Sequence, residues 1–397
     1  MLRNIEVFNL SNLLFLTTFT LPMYMLLNNL VLGVFLFFSL VVSILNKAKP
    51  QGGFIKQYLP LLLFFVLAVI ASLNNSETFF IKHLEKYFSF LLIPLAFWLL
   101  GKNKNLDKLI KVVLKGLTYG CVATLVICYG NVIYEMVTYG EPISYFLRWR
   151  HLNHDFTNIA DTHPAYLGLF ICTSTYYLLF EERKLSNKIK TLICVFFTLG
   201  MFQLASRLAM GIYLLVYVLY FFTRATKTKR LAIYFVLFLG LIIAGILFLG
   251  SGYLKERMLT TTSIEKDSRF ERLNISYNIF KEHPLLGVGL DKIEEERNIR
   301  YIDKGFIIAA HHNYNAHNQF MEYLSVNGIL GAVIYLGGII YLITRAIQYR
   351  QYFFLFVFIS FFLANLTESM LVRIKGIEYF TLFVTLFLVQ KRKIPIE

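Results

Sequence analysis

Long apolar runs separated by short polar stretches repeat from one end of the chain to the other. They fall at roughly 8–24, 27–45, 58–73, 84–100, 109–136, 164–180, 189–204, 208–223, 231–250, 318–344, 351–367 and 376–390. Helices of about 17–25 residues are long enough to cross ~30 Å of hydrocarbon. A membrane β-barrel would instead alternate every second residue over ~10-residue segments, and that pattern is absent. The runs predict an all-α polytopic transmembrane helical bundle of about twelve spans, a single integral membrane domain over 1–397. Two longer polar segments interrupt it, 137–163 and a large 251–316 loop between the ninth and tenth spans. In the second, Leu273, Ile275, Tyr277, Ile279 and Phe280 suggest short helices lying on the membrane.

Charge orients the bundle. The Arg3 end and every second loop carry 22 basic residues in short segments, against 7 in the opposite short loops. Lys and Arg mark cytoplasmic loops, whereas long loops translocate largely regardless of charge. Both termini are therefore expected in the cytoplasm, and the 251–316 loop on the outer face. The first run, 8–24, lacks a small-residue cleavage site and leads into further spans, so it reads as a span rather than a cleaved signal.

Composition narrows the class. The 397 residues are 57% hydrophobic and 17% aromatic, and only 16% are charged, with a net charge of +15. Soluble domains are typically ~25% charged, so an ordinary cytosolic enzyme, a disordered chain and a coiled-coil or collagen fibre are excluded. The basic balance is accounted for by the loops and calls for no nucleic acid. Cys121, Cys128, Cys172 and Cys194 all lie in apolar runs, without the spacing of a zinc site or disulfide frame, and read as small hydrophobes.

Polar chemistry gathers on the predicted outer side. His83, His151, His154, His163, His283, His311, His312 and His317 all fall there or at its boundary. Histidine titrates near neutrality and suits proton transfer. The spans also exclude His, which sorts the eight in part by itself. Three stretches stand out. The first is His317-Asn318, where the large loop re-enters the membrane, followed by Gly328 and Gly331. On an uninterrupted helix His317 and Gly328, eleven residues apart, share a face, and the glycines let another helix approach. An interfacial His satisfied by a headgroup or loop carbonyl fits the same residues. The second is Arg269 and Arg272, ahead of Pro284-Leu285-Leu286-Gly287-Val288-Gly289, where the Pro and paired Gly read as a turn. A guanidinium offers a planar fork to phosphate, of a ligand or of lipid alike. The third is Ser206-Arg207 in a very short hairpin, where an Arg close to hydrocarbon either serves a wet cavity or snorkels. No DxD, HExxH or Cys/His cluster occurs. His and Arg rather than clustered carboxylates favour a metal-independent site for an anion, with His311-His312 the residual metal option.

In this order the three stretches resemble the O-antigen ligase/polymerase superfamily of bacterial envelope proteins. His317-Asn318, nine residues, Gly328, two residues and Gly331 match its C-terminal signature. Ser206-Arg207 and Arg269 before Pro284–Gly289 match two others, and the resemblance covers roughly 190–345. Leu273 stands where the family often has Trp. The resemblance implies a bacterial inner-membrane enzyme with its site facing the periplasm, moving a glycan from undecaprenyl diphosphate to an acceptor hydroxyl without metal or cofactor. His317 would be the base and Arg207 and Arg269 the diphosphate holders. Arg272, Asn318, Arg148, Arg150 and His163 are further substrate-binding candidates; Arg148 and Arg150, flanking Trp149, fit an interface anchor equally. The acceptor is the next lipid-linked repeat unit in a polymerase, or lipid A-core in a ligase. The lean to polymerase rests on envelope gene clusters containing several polymerases and typically one ligase. Other envelope-assembly proteins are potential partners. A lipid-linked oligosaccharide flippase is the alternative of another class, but a transporter should carry its charges at mid-membrane. An inactive scaffold in an envelope assembly complex is a third.

Overall fold

The computed structural model describes residues 2–45, 53–74, 81–101, 106–143, 146, 148–223 and 268–390, and every regular element among them is helical. In chain order the principal helices are α1 (Leu2–Thr20), α2 (Met25–Leu45), α3 (Phe54–Leu73), α4 (Ser89–Leu99), α5 (Leu106–Tyr139), α6 (Asn153–Asn158), α7 (Pro164–Tyr176), α8 (Asn187–Leu204), α9 (Arg207–Thr223), α10 (Ser268–Glu282), α11 (Ile293–Asp303), α12 (Ile307–His311), α13 (Gln319–Gln348), α14 (Tyr352–Ala364) and α15 (Ile374–Gln390). Among the described residues, four stretches are long and apolar enough to cross a membrane: Met25–Leu45, Phe54–Leu73, Lys108–Tyr139 and Gln319–Gln348. Shorter apolar helices lie at Leu10–Thr20, Arg207–Thr223 and Tyr352–Ala364. Eleven of the twelve predicted runs fall on helices of unequal length among the described residues. The 84–100 run is split by a 3-10 turn, Glu85–Phe88, and the 231–250 run lies outside the described residues. The large loop is partly helical as expected, through α10 to α12.

The chain divides into two compact units, residues 1–35 with 107–262, and residues 36–106 with 263–397. In the first, Gly116 and Gly120 of α5 press on the α1 backbone. A Cβ on either would lie 2.5 Å or less from Phe15 O or Phe19 O. Small residues spaced by four allow this approach. α7 packs on α8 and α9. The buried His151 sits 3.2 Å from Glu141 and 3.7 Å from Glu135, and its carbonyl accepts from Gln203 Nε2 at 2.6 Å. These contacts tie the 3-10 turn Trp149–His151 down to α8.

In the second unit α15 packs on α4 and α3, and α13 on α3, α14 and α10. Stacked rings fill the centre, with Phe64 5.5 Å from Phe90 and Phe361 4.8 Å from Phe380. Of the five apolar positions named on α10, Ile275 and Ile279 turn inward, Leu273 and Phe280 are half-buried and Tyr277 is exposed. Ile275 and Ile279 are fully buried in a cluster with Ala71, Val288, Ile293, Tyr301 and Val326. Burial of each such side chain contributes about 1.5–3 kcal/mol. Arg300 of α11 grips Glu282 at the end of α10 with two hydrogen bonds of 2.9 and 2.8 Å, which hold that carboxyl below the usual carboxylate range.

Candidate active site

Two of the three sequence motifs meet in the second unit through main chain. α13 is broken at Gly328, whose φ of 63° and ψ of −156° are open only to glycine. The break frees carbonyls that a continuous helix would use. Val288 N–H donates to Ser325 O and Gly289 N–H to Val326 O, both at 3.0 Å, while Ile329 N–H donates to Pro284 O at 2.9 Å. The Pro284–Gly289 turn is thus stitched into the break. Asn74 and Asn327 side chains close the seam, donating to Gly287 O at 2.8 Å and Leu67 O at 3.0 Å. The close approach expected at Gly328 is real, but its visitor is this turn rather than a helix, and the shared helical face from His317 to Gly328 is interrupted. Gly331 lies one turn on, where a Cβ would meet Asn327 Cβ at 2.3 Å.

His317 precedes α13 in a left-handed conformation, φ 48°. Asn318 is the N-cap. Its Oδ1 accepts from Met321 N–H at 3.0 Å and its Nδ2 donates to Leu366 O at 3.1 Å. Asn at the second signature position therefore has a structural reason, with one contact to main chain from each end of its amide. Gln319 N–H donates to Asn365 O at 2.9 Å, and Gln319 Oε1 accepts from Leu371 N–H at 2.6 Å. This stitching brings the 365–371 segment alongside His317, where Glu368 Oε2 lies 3.2 Å from His317 Nδ1. The two are within ion-pair reach, although the pair is not aligned as a hydrogen bond.

On the other side Tyr314 packs edge-on to the His317 ring at 5.8 Å, and the Arg272 guanidinium lies 5.2 Å over the Tyr314 ring. Arg272 is buried at 6% exposure, whereas Arg269, one turn earlier on α10, is exposed. The loop before His317 is anchored from below. Ala316 N–H donates to Glu322 Oε2 at 3.0 Å, and Glu322 is held by both terminal nitrogens of Arg297 at 3.0 Å, one of which also reaches Ser325 Oγ at 2.8 Å. Both side chains are over nine-tenths buried. Removing one partner of a buried pair typically costs about 3–5 kcal/mol. Glu322→Ala is therefore expected to lower the melting temperature of the solubilised protein markedly. Arg297→Met with Glu322→Leu should recover most of that loss, because no lone charge then remains buried; a double variant no better than the single would refute the pair's role.

The remaining candidates belong to the first unit. Arg207 begins α9 and is exposed, one residue after the hairpin whose Ala205 takes a left-handed φ of 47° to end α8. His163 is the N-cap of α7, its Nδ1 accepting from Ala165 N–H at 3.2 Å, with the His154 ring 4.3 Å away. Arg150 lies 3.9 Å from Glu141, and Arg148 and Trp149 are exposed beside it. Sequence reasoning missed Glu368, Glu322 and Arg297. Glu322 had one available signal, an acid just inside an apolar span, which is costly unless paired.

Comparison with known proteins agrees with the motifs. The family model described as O-antigen ligase matches residues 192–336, a segment that contains Arg207, Arg269, Arg272, His317, Asn318, Gly328 and Gly331. No curated protein matches the chain. With its long apolar helices the chain is a multi-pass membrane protein. Over residues 192–336 the chain is similar to the O-antigen ligase family.

Proposed function

We propose that the chain is a glycosyltransferase that moves a glycan from a polyprenyl diphosphate, undecaprenyl diphosphate in bacteria, to an acceptor hydroxyl at the outer face of the inner membrane. The observation that carries this reading is the His317–Glu368 contact of 3.2 Å at the mouth of α13. An imidazole backed by a carboxylate at one nitrogen can take a proton at the other. His317 removes the acceptor proton as its oxygen attacks the anomeric carbon. The carrier–sugar bond breaks and the diphosphate leaves with the electron pair, inverting that carbon. Arg269 and Arg272 neutralise the charge that develops on the leaving group. Arg207 keeps the same assignment on the strength of its motif. The step uses no metal or nucleotide. We favour repeat-unit polymerase over transfer to lipid A-core. The orientation, both termini cytoplasmic and α10–α12 periplasmic, rests on loop charge.

Glu368 acts in this scheme as a positioning residue. Glu368→Gln should lower kcat about tenfold or more, less than loss of the base itself, with KM and melting temperature unchanged. The assay is transfer from lipid-linked glycan by purified protein. An unchanged kcat, or a fall in stability that accounts for the loss, would remove Glu368 from the mechanism.

A further inference from the structure

Beside the His317 loop, within the second unit, lies a cavity of about 270 Å³. Tyr314, Asn315 and Gln319, which flank His317 in sequence, form part of its wall. The volume is just below that of ordinary ligand pockets, which start near ~300 Å³, and suits a small group rather than a chain of sugars.

The charges on this wall do not cancel. Arg297 and Glu322 hold each other at 3.0 Å and are both over nine-tenths buried, a closed neutral pair. That leaves Lys86 of the 3-10 turn before α4, Arg373 just ahead of α15, and the exposed Glu294 of α11. His83, also on the wall, faces Asp291 at 3.5 Å. Lys86 is half-buried, with its ammonium 5.2 Å over the Tyr87 ring. Neither that ammonium nor the Arg373 guanidinium has a hydrogen-bond or ion-pair partner among the described residues. The charged groups that act most strongly on the Lys86 ammonium are Glu322, Glu294 and Arg373. All three line the cavity, so the charged end of Lys86 is at the cavity too.

The turn carrying Lys86 packs on α15, the helix that Arg373 precedes. The fold thus brings two cations from distant segments onto one wall, with no carboxylate clasping either. Like charges gathered in this way work against folding, and proteins keep such conflicts where function needs them. An oxyanion resolves the conflict. The Arg fork and the Lys point charge are both suited to phosphate, whose tetrahedral oxygens can be met from two directions at once.

We infer that Lys86 and Arg373 form a phosphate-binding site beside His317. Two sources offer this chemistry, the diphosphate of a lipid carrier and the headgroup of a phospholipid. The site stands on the charges of its wall and not on the glycosyl-transfer reading; neither residue belongs to the motifs which that reading uses.

The test uses the full chain in a phosphate-free detergent at low salt, where screening is least, with binding read by isothermal titration calorimetry. The probes are inorganic phosphate, inorganic diphosphate, glycerol phosphate as a free headgroup, and acetate. Wild-type protein should bind the phosphate probes, and acetate at least tenfold more weakly. Lys86→Gln and Arg373→Gln should each weaken phosphate binding about tenfold, the loss of one charge-assisted contact. Lys281→Gln, which removes an exposed cation of α10, should leave binding within twofold of wild type. Diphosphate binding at least tenfold tighter than glycerol phosphate supports the site and assigns it to a lipid carrier; comparable binding supports it and assigns it to phospholipid. No phosphate binding, acetate binding as tight as phosphate, or full binding by either Gln variant would each overturn the site. If Lys86→Gln melts well below wild type, Arg373→Gln decides alone, because Arg373 is exposed and its truncation opens no core. Glycan transfer by the wild-type protein is measured in parallel. Absence of transfer alongside these binding results sinks the enzyme reading and leaves the phosphate site standing.

Discussion

Replacement of His317 should lower glycan transfer by about 10²–10⁴-fold, the span that a positioned general base contributes. Asparagine is the better substitute than alanine. His317 has φ 48°, a left-handed conformation that Asn tolerates and Ala resists, so His317→Asn separates loss of the imidazole from loss of the loop. The check is complementation of a strain lacking this protein, with surface polysaccharide read on a gel. A ladder collapsed to one repeat unit on lipid A-core means polymerase; bare core with long chains stranded on the carrier means ligase. A normal ladder at wild-type protein levels sinks His317 as base and returns the transporter and scaffold readings.

Gly328→Ala should be the most damaging change outside the chemistry itself. Its backbone conformation costs a non-glycine residue about 1–3 kcal/mol, and a Cβ would lie 2.4 Å from the Leu285 carbonyl carbon and oxygen. Overpacking of this kind costs about 1–3 kcal/mol more. The three main-chain hydrogen bonds of the seam are each worth ~1 kcal/mol net. The total, roughly 5–9 kcal/mol, is comparable with the ~5–15 kcal/mol that holds a typical domain. The matched control is Gly337→Ala on the same helix, where a Cβ meets nothing within 4 Å; it should be neutral or slightly stabilising. Melting curves of the solubilised variants decide. A Gly328→Ala protein melting with wild type would mean that the seam is not a structural lock.

The helical class and the motif segments are legible because they rest on local pattern: apolar runs long enough to span, a cap residue after a His, a Pro-Gly turn. What escaped depends on main-chain geometry or on distant segments. Gly328 sits in an apolar run and reads as a small packing residue, since sequence does not reveal that its ψ is −156°. Glu368 reaches His317 from the loop after α14 through hydrogen bonds at Asn318 and Gln319, and no spacing rule joins positions 51 apart. Arg297 was one of ten basic residues in a loop balanced by ten acids. That Ile275 and Ile279 of α10 are covered by protein escaped because an apolar face reads alike whether protein or bilayer covers it.

The second unit is assembled from two separated stretches, 36–106 and 263–397, and this has a consequence during synthesis. The faces of α3 and α4 carrying Phe64 and Phe90 are completed by α13 and α15, which leave the ribosome more than 150 residues later. At ~5–20 residues per second the wait is on the order of ten to thirty seconds. Through that interval these aromatic surfaces depend on lipid or on an insertion chaperone. A shortage of either should trap the nascent chain at this stage, before α10 or the His317 loop has been made.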